Sequence, residues 1–206
     1  MSNKTMDRKV LLGCSLGLVS LACVAFSAQV FASFDGIRVA YGKALTPDVE
    51  ATDLRLAARW HIKDFEKGYN GDWERRLMLE AVYTHWHSTI SGSANKSARG
   101  ADDIHGFFIT PIFRLEDTRS SSVKPYIEAG LGIGGISDEE FRRKNREYPL
   151  RKSSRFQFEV KVGGGFVFGE QQQMELGIQW VHYSNANVAS PNYSFDAIQL
   201  EGAYRF

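Results

Sequence analysis

The chain has 206 residues, a length typical of one domain, and its 25 basic and 24 acidic residues give a formal net charge of +1. This near balance excludes the large basic excess by which proteins hold nucleic acid. The two cysteines, Cys14 and Cys23, both lie close to the N-terminus, so a disulfide framework in the rest of the chain is excluded as well.

Residues 1–32 have the pattern of a secretory signal peptide. Three basic residues precede an apolar run over residues 10–26, and a small-residue cleavage pattern follows at residues 30–32. The run is short for a membrane-spanning helix, which disfavours an uncleaved anchor. A lipoprotein signal at Cys23 is an alternative, although the usual apolar residue three positions earlier is missing. The mature chain is therefore predicted to be a single domain over residues 33–206.

Eight amphipathic strands can be read along this domain, each near or above the ~9–11 residues that cross a bilayer. Apolar and polar side chains alternate in them with a period of two, and the charged run at residues 138–146 is predicted to be a loop. The predicted strands cover residues 34–44, 53–62, 75–86, 104–115, 125–135, 155–169 and the two arms of 174–206. The pattern predicts an all-β, eight-stranded antiparallel transmembrane up-and-down β-barrel.

The polar faces of these strands carry charges of both signs, and an eight-stranded barrel has room inside only for its own side chains. We therefore expect a packed network of ion pairs rather than a pore. An even strand number puts both termini on the periplasmic side, and residues 137–154 then form a long outer connection. Residues 63–72 fit less well, because they would make a long periplasmic turn. The predicted inward-facing charges are Arg55, Arg59, Glu80, Arg114, Glu128, Glu159, Lys161, Glu175 and Glu201.

The last hairpin departs from the simple pattern at its outer end. His182, Ser184 and Asp196 continue the lipid-facing parity of the apolar residues before them, and a hairpin symmetric about residue 189 pairs His182 with Asp196. Three polar or ionisable groups on a lipid-facing surface cost free energy, so their presence there favours a functional role. Serine, histidine and an acid are the parts of an activated nucleophile. The rival acid, Glu201, has the parity of a residue that faces the lumen. An alternative interpretation of His182 and Ser184 is a pair of polar residues at the membrane interface without activity.

The motif around these residues resembles that of a known family. The run His182-Tyr-Ser184-Asn-Ala, then Pro191-Asn192, then an acid fourteen residues after the histidine, is similar to the lipid A 3-O-deacylases, the PagL-type barrels. The resemblance implies a small barrel in the outer membrane of a Gram-negative cell, reached through the periplasm. It also implies a carboxylic ester hydrolase that removes the acyl chain at the 3-position of lipid A in lipopolysaccharide.

By this resemblance, Ser184 would be the nucleophile, His182 its base and Asp196 the acid that orients the base. Asn192 and the backbone amide of Asn187 would donate to the oxyanion. Two residues depart from the family pattern, which has glutamate where this chain has Asp196 and usually glycine where it has Asn187.

The resemblance implies lipid A and outer-membrane lipids as partners, the barrel-assembly machinery during insertion, and no cofactor; it leaves a homodimer open. Two other kinds of protein remain as alternatives: an outer-membrane phospholipase-type esterase and a structural or adhesion barrel. An acyltransferase would favour a hydrocarbon-lined lumen, which the inward charges disfavour.

His85 and His87 are spaced to share a metal, but the sequence shows no carboxylate companion, so no metal site is predicted.

Overall fold

The structure is a computed structural model, and the predicted signal peptide lies outside the residues that it describes. Within the described part of the chain, no helix is both long enough and apolar enough to span a bilayer. The described residues are 34–65, 72–90, 99–119, 122–144, 146 and 148–206.

Over these residues, eight strands form a closed antiparallel barrel, as the sequence predicts, with the order β1-β10-β9-β8-β5-β4-β3-β2. The two further strands, β6 and β7, pair with each other as a short hairpin outside the barrel sheet, and Phe141 of β6 also forms a single parallel bridge with Ala101. The strands are β1 Phe34–Ala44, β2 Ala51–Phe65, β3 Trp73–Ser88, β4 Asp103–Asp117, β5 Val123–Ile136, β6 Glu140–Phe141, β7 Leu150–Arg151, β8 Phe156–Phe168, β9 Met174–Ser184 and β10 Phe195–Arg205.

The outer wall of the barrel is apolar, because alternate residues of each strand point away from the lumen. In β4, the Phe107 side chain is 65% exposed while that of Phe108 is 2% exposed, and in β9 Ile178 is 54% exposed while Gln179 is 1% exposed. Such a continuous apolar band would be unfavourable in water but suits the hydrocarbon of a bilayer.

The middle of the lumen is filled with paired charges. Arg38 contacts Glu128 at 2.5 Å, Arg114 contacts Glu175 at 2.7 Å, and Lys161 lies 3.0 Å from Glu80. Buried charges are tolerated only when partners and hydrogen bonds compensate for the lost water, and here they do. The predicted inward-facing set is confirmed, since each of its members is at most 4% exposed: Arg55, Arg59, Glu80, Arg114, Glu128, Glu159, Lys161, Glu175 and Glu201.

The outer end of the lumen is closed by a layer of aromatic rings, which no pattern in the sequence predicted. Trp86 meets Tyr183 edge-on at 4.8 Å between ring centroids and also contacts Phe195. Phe141, from the outer hairpin, stacks on Phe195 at 4.8 Å. This aromatic layer supports from inside the ends of β9 and β10, where His182 and Asp196 lie.

Two predicted connections are corrected. Strand β2 continues to Phe65 through a register shift between His61 and Lys63, so residues 63–65, predicted to be part of the turn, belong to the strand. Residues 138–146, predicted as a loop, contain β6, which pairs with β7.

Candidate active site

His182 and Asp196 meet on the outer wall, at the outer ends of β9 and β10. They are direct cross-strand partners, as the hairpin symmetry predicts, and His182 Nδ1 lies 2.8 Å from Asp196 Oδ1. Their side chains are 27% and 25% exposed. Because a carboxylate accepts only, Nδ1 carries the proton, which leaves Nε2 with a lone pair available as a base. The shorter acid of this chain therefore reaches the imidazole without a bridging water.

Ser184 is the last residue of β9 and is partly buried. It lies two residues beyond His182, so the two side chains leave the strand on the same face, about 6.7 Å apart along it. On the neighbouring strand β8, Ser184 is paired with Phe158 and His182 with Val160. Ser184 thus lies at the upper margin of the apolar wall, on the same face of β9 as His182.

The wall below the pair is built from large apolar side chains. Ile178 and Trp180 precede His182 along β9, and Val162 and Leu200 flank them on β8 and β10; all four are more than a third exposed. The Trp180 ring lies 5.7 Å from the His182 ring, which limits the positions that the imidazole can adopt. Acyl chains could lie along this surface with a polar headgroup above it.

The backbone of Asp196 is held by the connection between β1 and β2. Its N–H donates to Thr46 Oγ1 at 2.8 Å, and its carbonyl accepts from the N–H of Leu45 at 2.7 Å. Because both backbone groups are fixed, the short carboxylate is presented to His182 from a rigid position.

The connection from β9 to β10 is organised by Asn185, which is fully buried. Its Nδ2 donates to the carbonyls of Lys152 and Ala189, at 2.7 and 2.9 Å. Its backbone N–H donates to Asn192 Oδ1 at 3.0 Å, and its Oδ1 accepts from the N–H of Asn187 at 2.9 Å. Asn187 also has a positive φ of 62°. One buried residue, through its backbone N–H and its side-chain oxygen, therefore contacts both residues expected to act as oxyanion donors.

The two predicted donors are not in equivalent situations. The Asn192 amide accepts through its oxygen, which orients its NH₂ group away from the loop backbone. The N–H of Asn187 already donates within the loop, so it must turn away from Asn185 to reach a substrate. The geometry favours Asn192.

Lys152 lies beneath the site and was missed by the sequence analysis. Its side chain is fully buried and donates from Nζ to the carbonyl of Tyr183 at 2.6 Å. Burial lowers the pKa of this ammonium from its usual 10.5 to about 7, although the charge of nearby Asp196 acts in the opposite direction. Lys152 and Asn185 thus join the outer hairpin to the end of β9.

The other candidate acid, Glu201, lies inside the barrel, away from His182. Glu201 is 2% exposed in the lumen, where Tyr126 donates to it at 2.7 Å and Arg38 lies at 3.2 Å. It has no access to the outer wall, as its parity predicts.

Known proteins resemble this chain over most of its length. A family model described as lipid A 3-O-deacylase (PagL) matches residues 52–205. Lipid A deacylase PagL of Pseudomonas aeruginosa is 28% identical over 180 residues, covering 83% of this chain and 92% of that protein. Lipid A deacylase PagL of Bordetella bronchiseptica is 26% identical over 191 residues, covering 92% and 94%.

Among solved structures, the crystal structure of the outer membrane enzyme PagL superposes with a TM-score of 0.65 at 22% identity, covering 83% of this chain and 99% of that one. This likeness shows the fold. The family model spans about three quarters of the chain, including all of β9 and β10. The chain belongs to the lipid A 3-O-deacylase family.

Proposed function

We propose that this chain removes the 3-O-linked acyl chain of lipid A in the outer leaflet of the outer membrane, with Ser184 as the nucleophile. His182 would be its general base and Asp196 the group that orients the base. The observation that carries this proposal is the 2.8 Å contact between His182 and Asp196 on the lipid-facing wall, two residues from Ser184. A lumenal position for either group would remove the argument, because lipid A could not reach it.

The reaction follows the serine-esterase scheme. His182 Nε2 takes the proton of the Ser184 hydroxyl as its oxygen attacks the ester carbonyl carbon. The tetrahedral intermediate carries a negative charge on the former carbonyl oxygen. As it collapses, the bond to the 3-oxygen of lipid A breaks and His182 returns the proton to that oxygen. Water, deprotonated by His182, then hydrolyses the acyl-serine and releases the fatty acid.

Asp196 contributes by fixing the imidazole. Its hydrogen bond to Nδ1 keeps Nε2 deprotonated and stabilises the imidazolium that forms in the transition state. The anchoring of the Asp196 backbone by Thr46 and Leu45 supports this role, because a mobile carboxylate would hold the ring less well.

Asn192 is the proposed oxyanion donor. Its NH₂ group is oriented by the hydrogen bond that its oxygen accepts from Asn185, and a preorganised donor stabilises developing charge without reorganisation. The backbone amide of Asn187 is a second donor only if it leaves Asn185 Oδ1 when substrate binds.

Substrate access needs no pocket. Lipid A diffuses in the leaflet and meets the wall from the side, so its acyl chains can follow the apolar band while the ester reaches Ser184 at headgroup level. As with other outer-membrane barrels, we expect insertion to depend on the assembly machinery. Whether the barrel forms a homodimer stays a prediction.

The test is mass spectrometry of lipid A from cells that express the chain or its Ser184→Ala variant, with phospholipids analysed from the same cells. The proposal expects lipid A that has lost one 3-O-linked acyl chain only with the unaltered chain. Unchanged lipid A with accumulating lysophospholipid would instead identify a phospholipase, and no change in either lipid would contradict an esterase.

A further inference from the structure

A second group of chemically active side chains lies at the outer ends of β3 and β4. His85 Nε2 and His87 Nδ1 each lie 2.8 Å from the same oxygen, Oδ1 of Asp103. The three ligand atoms lie within 4.8 Å of one another. The carboxylate that the sequence did not reveal as a companion of the two histidines is therefore supplied by the neighbouring strand.

The sheet places these three groups together for a simple reason. His85 and His87 are two residues apart on β3, so both point outward, and Asp103 is the direct cross-strand partner of His87. Their side chains are 29%, 53% and 48% exposed, so an ion in solution can reach them.

The rings around the group hold His85 in place. The His105 ring stacks on that of His85 at 4.8 Å with an interplanar angle of 11°. His105 Nδ1 is itself 2.8 Å from the hydroxyl of Tyr83. Outer contacts of this kind orient a metal ligand before the ion arrives.

We propose that His85, His87 and Asp103 form a binding site for a divalent transition-metal ion, with Zn²⁺ as the best-fitting ion. Two imidazoles and one carboxylate suit Zn²⁺, Cu²⁺ or Ni²⁺, whereas Ca²⁺ and Mg²⁺ require mainly oxygen ligands. Three protein ligands leave a fourth tetrahedral position for water or for an anionic oxygen, such as that of a phosphate.

The required rearrangement is small. Metal–ligand bonds of about 2.0–2.2 Å in a tetrahedron put ligand atoms about 3.3 Å apart. Each histidine nitrogen must therefore retreat from the Asp103 oxygen by about half an ångström, and the two nitrogens, which lie within 4.8 Å of each other, must approach by up to about 1.5 Å. Each histidine must also move its proton to the other ring nitrogen, because the nitrogen that now faces Asp103 becomes the ligand. His87 and Asp103 are about half exposed at the ends of their strands, so they can move towards His85, which the stacked His105 ring holds in place.

This site is separate from the proposed triad. In the strand order of the barrel, β5 and β8 lie between β4 and β9 on one side, and β2 and β1 lie between β3 and β10 on the other. The metal is therefore not proposed to take part in ester hydrolysis, and the inference does not depend on Ser184 or His182.

The experiment uses the full barrel folded in detergent micelles and freed of metal with a chelator. Co²⁺ is titrated as a spectroscopic probe, because its visible absorption reports tetrahedral coordination with nitrogen ligands, and Zn²⁺ is then added in competition. We expect one ion per chain, displaced by Zn²⁺. His87→Asn and Asp103→Asn should each weaken Zn²⁺ binding by about tenfold or more.

The chain offers a matched control. His61 Nε2 lies 2.8 Å from Asp64 Oδ1 at the periplasmic end, so His61→Asn breaks a contact of the same length and should leave metal binding unchanged. Ser184→Ala should also bind Zn²⁺ normally, and His87→Asn should keep deacylase activity. Heat-modifiable gel mobility confirms that each variant is folded. Absence of one-to-one binding, or equal binding by folded His87→Asn and Asp103→Asn variants, would overturn the proposal.

Discussion

Ser184 and His182 lie on the outer face of β9 rather than in the lumenal network, so their side chains can be removed without disturbing the core. We expect Ser184→Ala and His182→Ala to give folded, heat-modifiable barrels whose deacylation falls by several orders of magnitude, because the nucleophile or its base is lost. Turnover of purified protein on lipid A in mixed micelles measures this. His61→Ala, which breaks a His–Asp contact at the other end of the barrel, should keep full activity. Substantial turnover by either site variant would contradict the triad.

Substitutions of Asp196 test its assignment as the acid of the triad. Asp196→Asn keeps the shape but can hold the wrong tautomer of His182, and we expect turnover to fall by ~10⁴, by analogy with other triads in which the acid becomes an amide. Asp196→Glu should retain measurable activity, since glutamate is the acid in the family that the motif resembles. Glu201→Gln should change stability more than rate, because it breaks the contact with Arg38 in the lumen. Kinetics with the opposite pattern, an inactive Glu201→Gln and an unimpaired Asp196→Asn, would reassign the acid.

The residues of the proposed triad could be found from sequence because strand parity and spacing define them. A strand period of two puts His182, Ser184 and Asp196 on one face, and the hairpin symmetry predicts the observed register. Asn185 and Lys152 could not be found in this way. Their roles depend on a contact between segments 33 residues apart, which no local pattern in either segment encodes.

At the scale of the elements, the outer hairpin β6–β7 and the connection after β9 act as one unit through Asn185. We expect Asn185→Asp to weaken this unit, because the carboxylate would face the carbonyls of Lys152 and Ala189, to which the amide now donates. Loss of two buried donors costs about 1–3 kcal/mol or more. Hydrogen exchange of residues 185–194 should accelerate while the barrel strands stay protected, and turnover should fall by about tenfold. Unchanged exchange would show that Asn185 does not hold the loop.

Lys152 predicts a pH dependence of stability. Its pKa is about 7 in the folded chain against 10.5 when exposed, so between these values the folded chain binds fewer protons than the unfolded one. The free energy of unfolding should therefore rise with pH across this window, by on the order of a few kcal/mol. The destabilisation by the buried ammonium is greatest below pH 7 and is lost above pH 10.5. Urea unfolding in micelles between pH 6.5 and 10 measures it.

Lys152→Met should flatten this rise, because the methionine fills the same space without a charge. The neighbouring Arg151 is exposed, so Arg151→Gln should keep the wild-type dependence. Equal slopes for the unaltered chain and Lys152→Met would show that the ammonium is not destabilised by its surroundings.

The strands themselves were predictable because crossing a bilayer imposes both their length and their alternation. The ends of the strands were harder to predict. Strand β2 extends three residues beyond the predicted end at Ile62, because a register shift that local periodicity does not reveal lets the pairing continue. The short β6–β7 pair and the aromatic layer were missed because Phe141 contacts Trp86 and Phe195, which lie more than 50 residues away in the sequence on either side.

At the scale of the whole molecule, stability depends on closing the seam between β1 and β10. Seven other strand pairs join neighbours that are connected or nearly so along the chain, but this pair joins the first and last strands of the described part. We expect this contact to form late, because it closes the longest loop. The lumenal ion pairs then gain their full set of partners, since Arg38 of β1 contacts Glu201 of β10 and Glu128 of β5.

Phe206 secures the periplasmic end of this seam. Its N–H donates to the carbonyl of Asp35 at 2.9 Å, and its ring stacks on Phe34 at 5.5 Å and meets Tyr204 edge-on at 5.4 Å. We expect deletion of Phe206 to reduce the folded, heat-modifiable fraction in outer membranes severalfold, because both the hydrogen bond and the ring contacts across the seam are lost. The molecules that do fold should deacylate lipid A at the normal rate, since the site lies at the opposite end. Phe206→Tyr keeps the ring and the backbone and should assemble normally. Wild-type insertion of the truncated chain would show that the seam closes without its terminal aromatic residue.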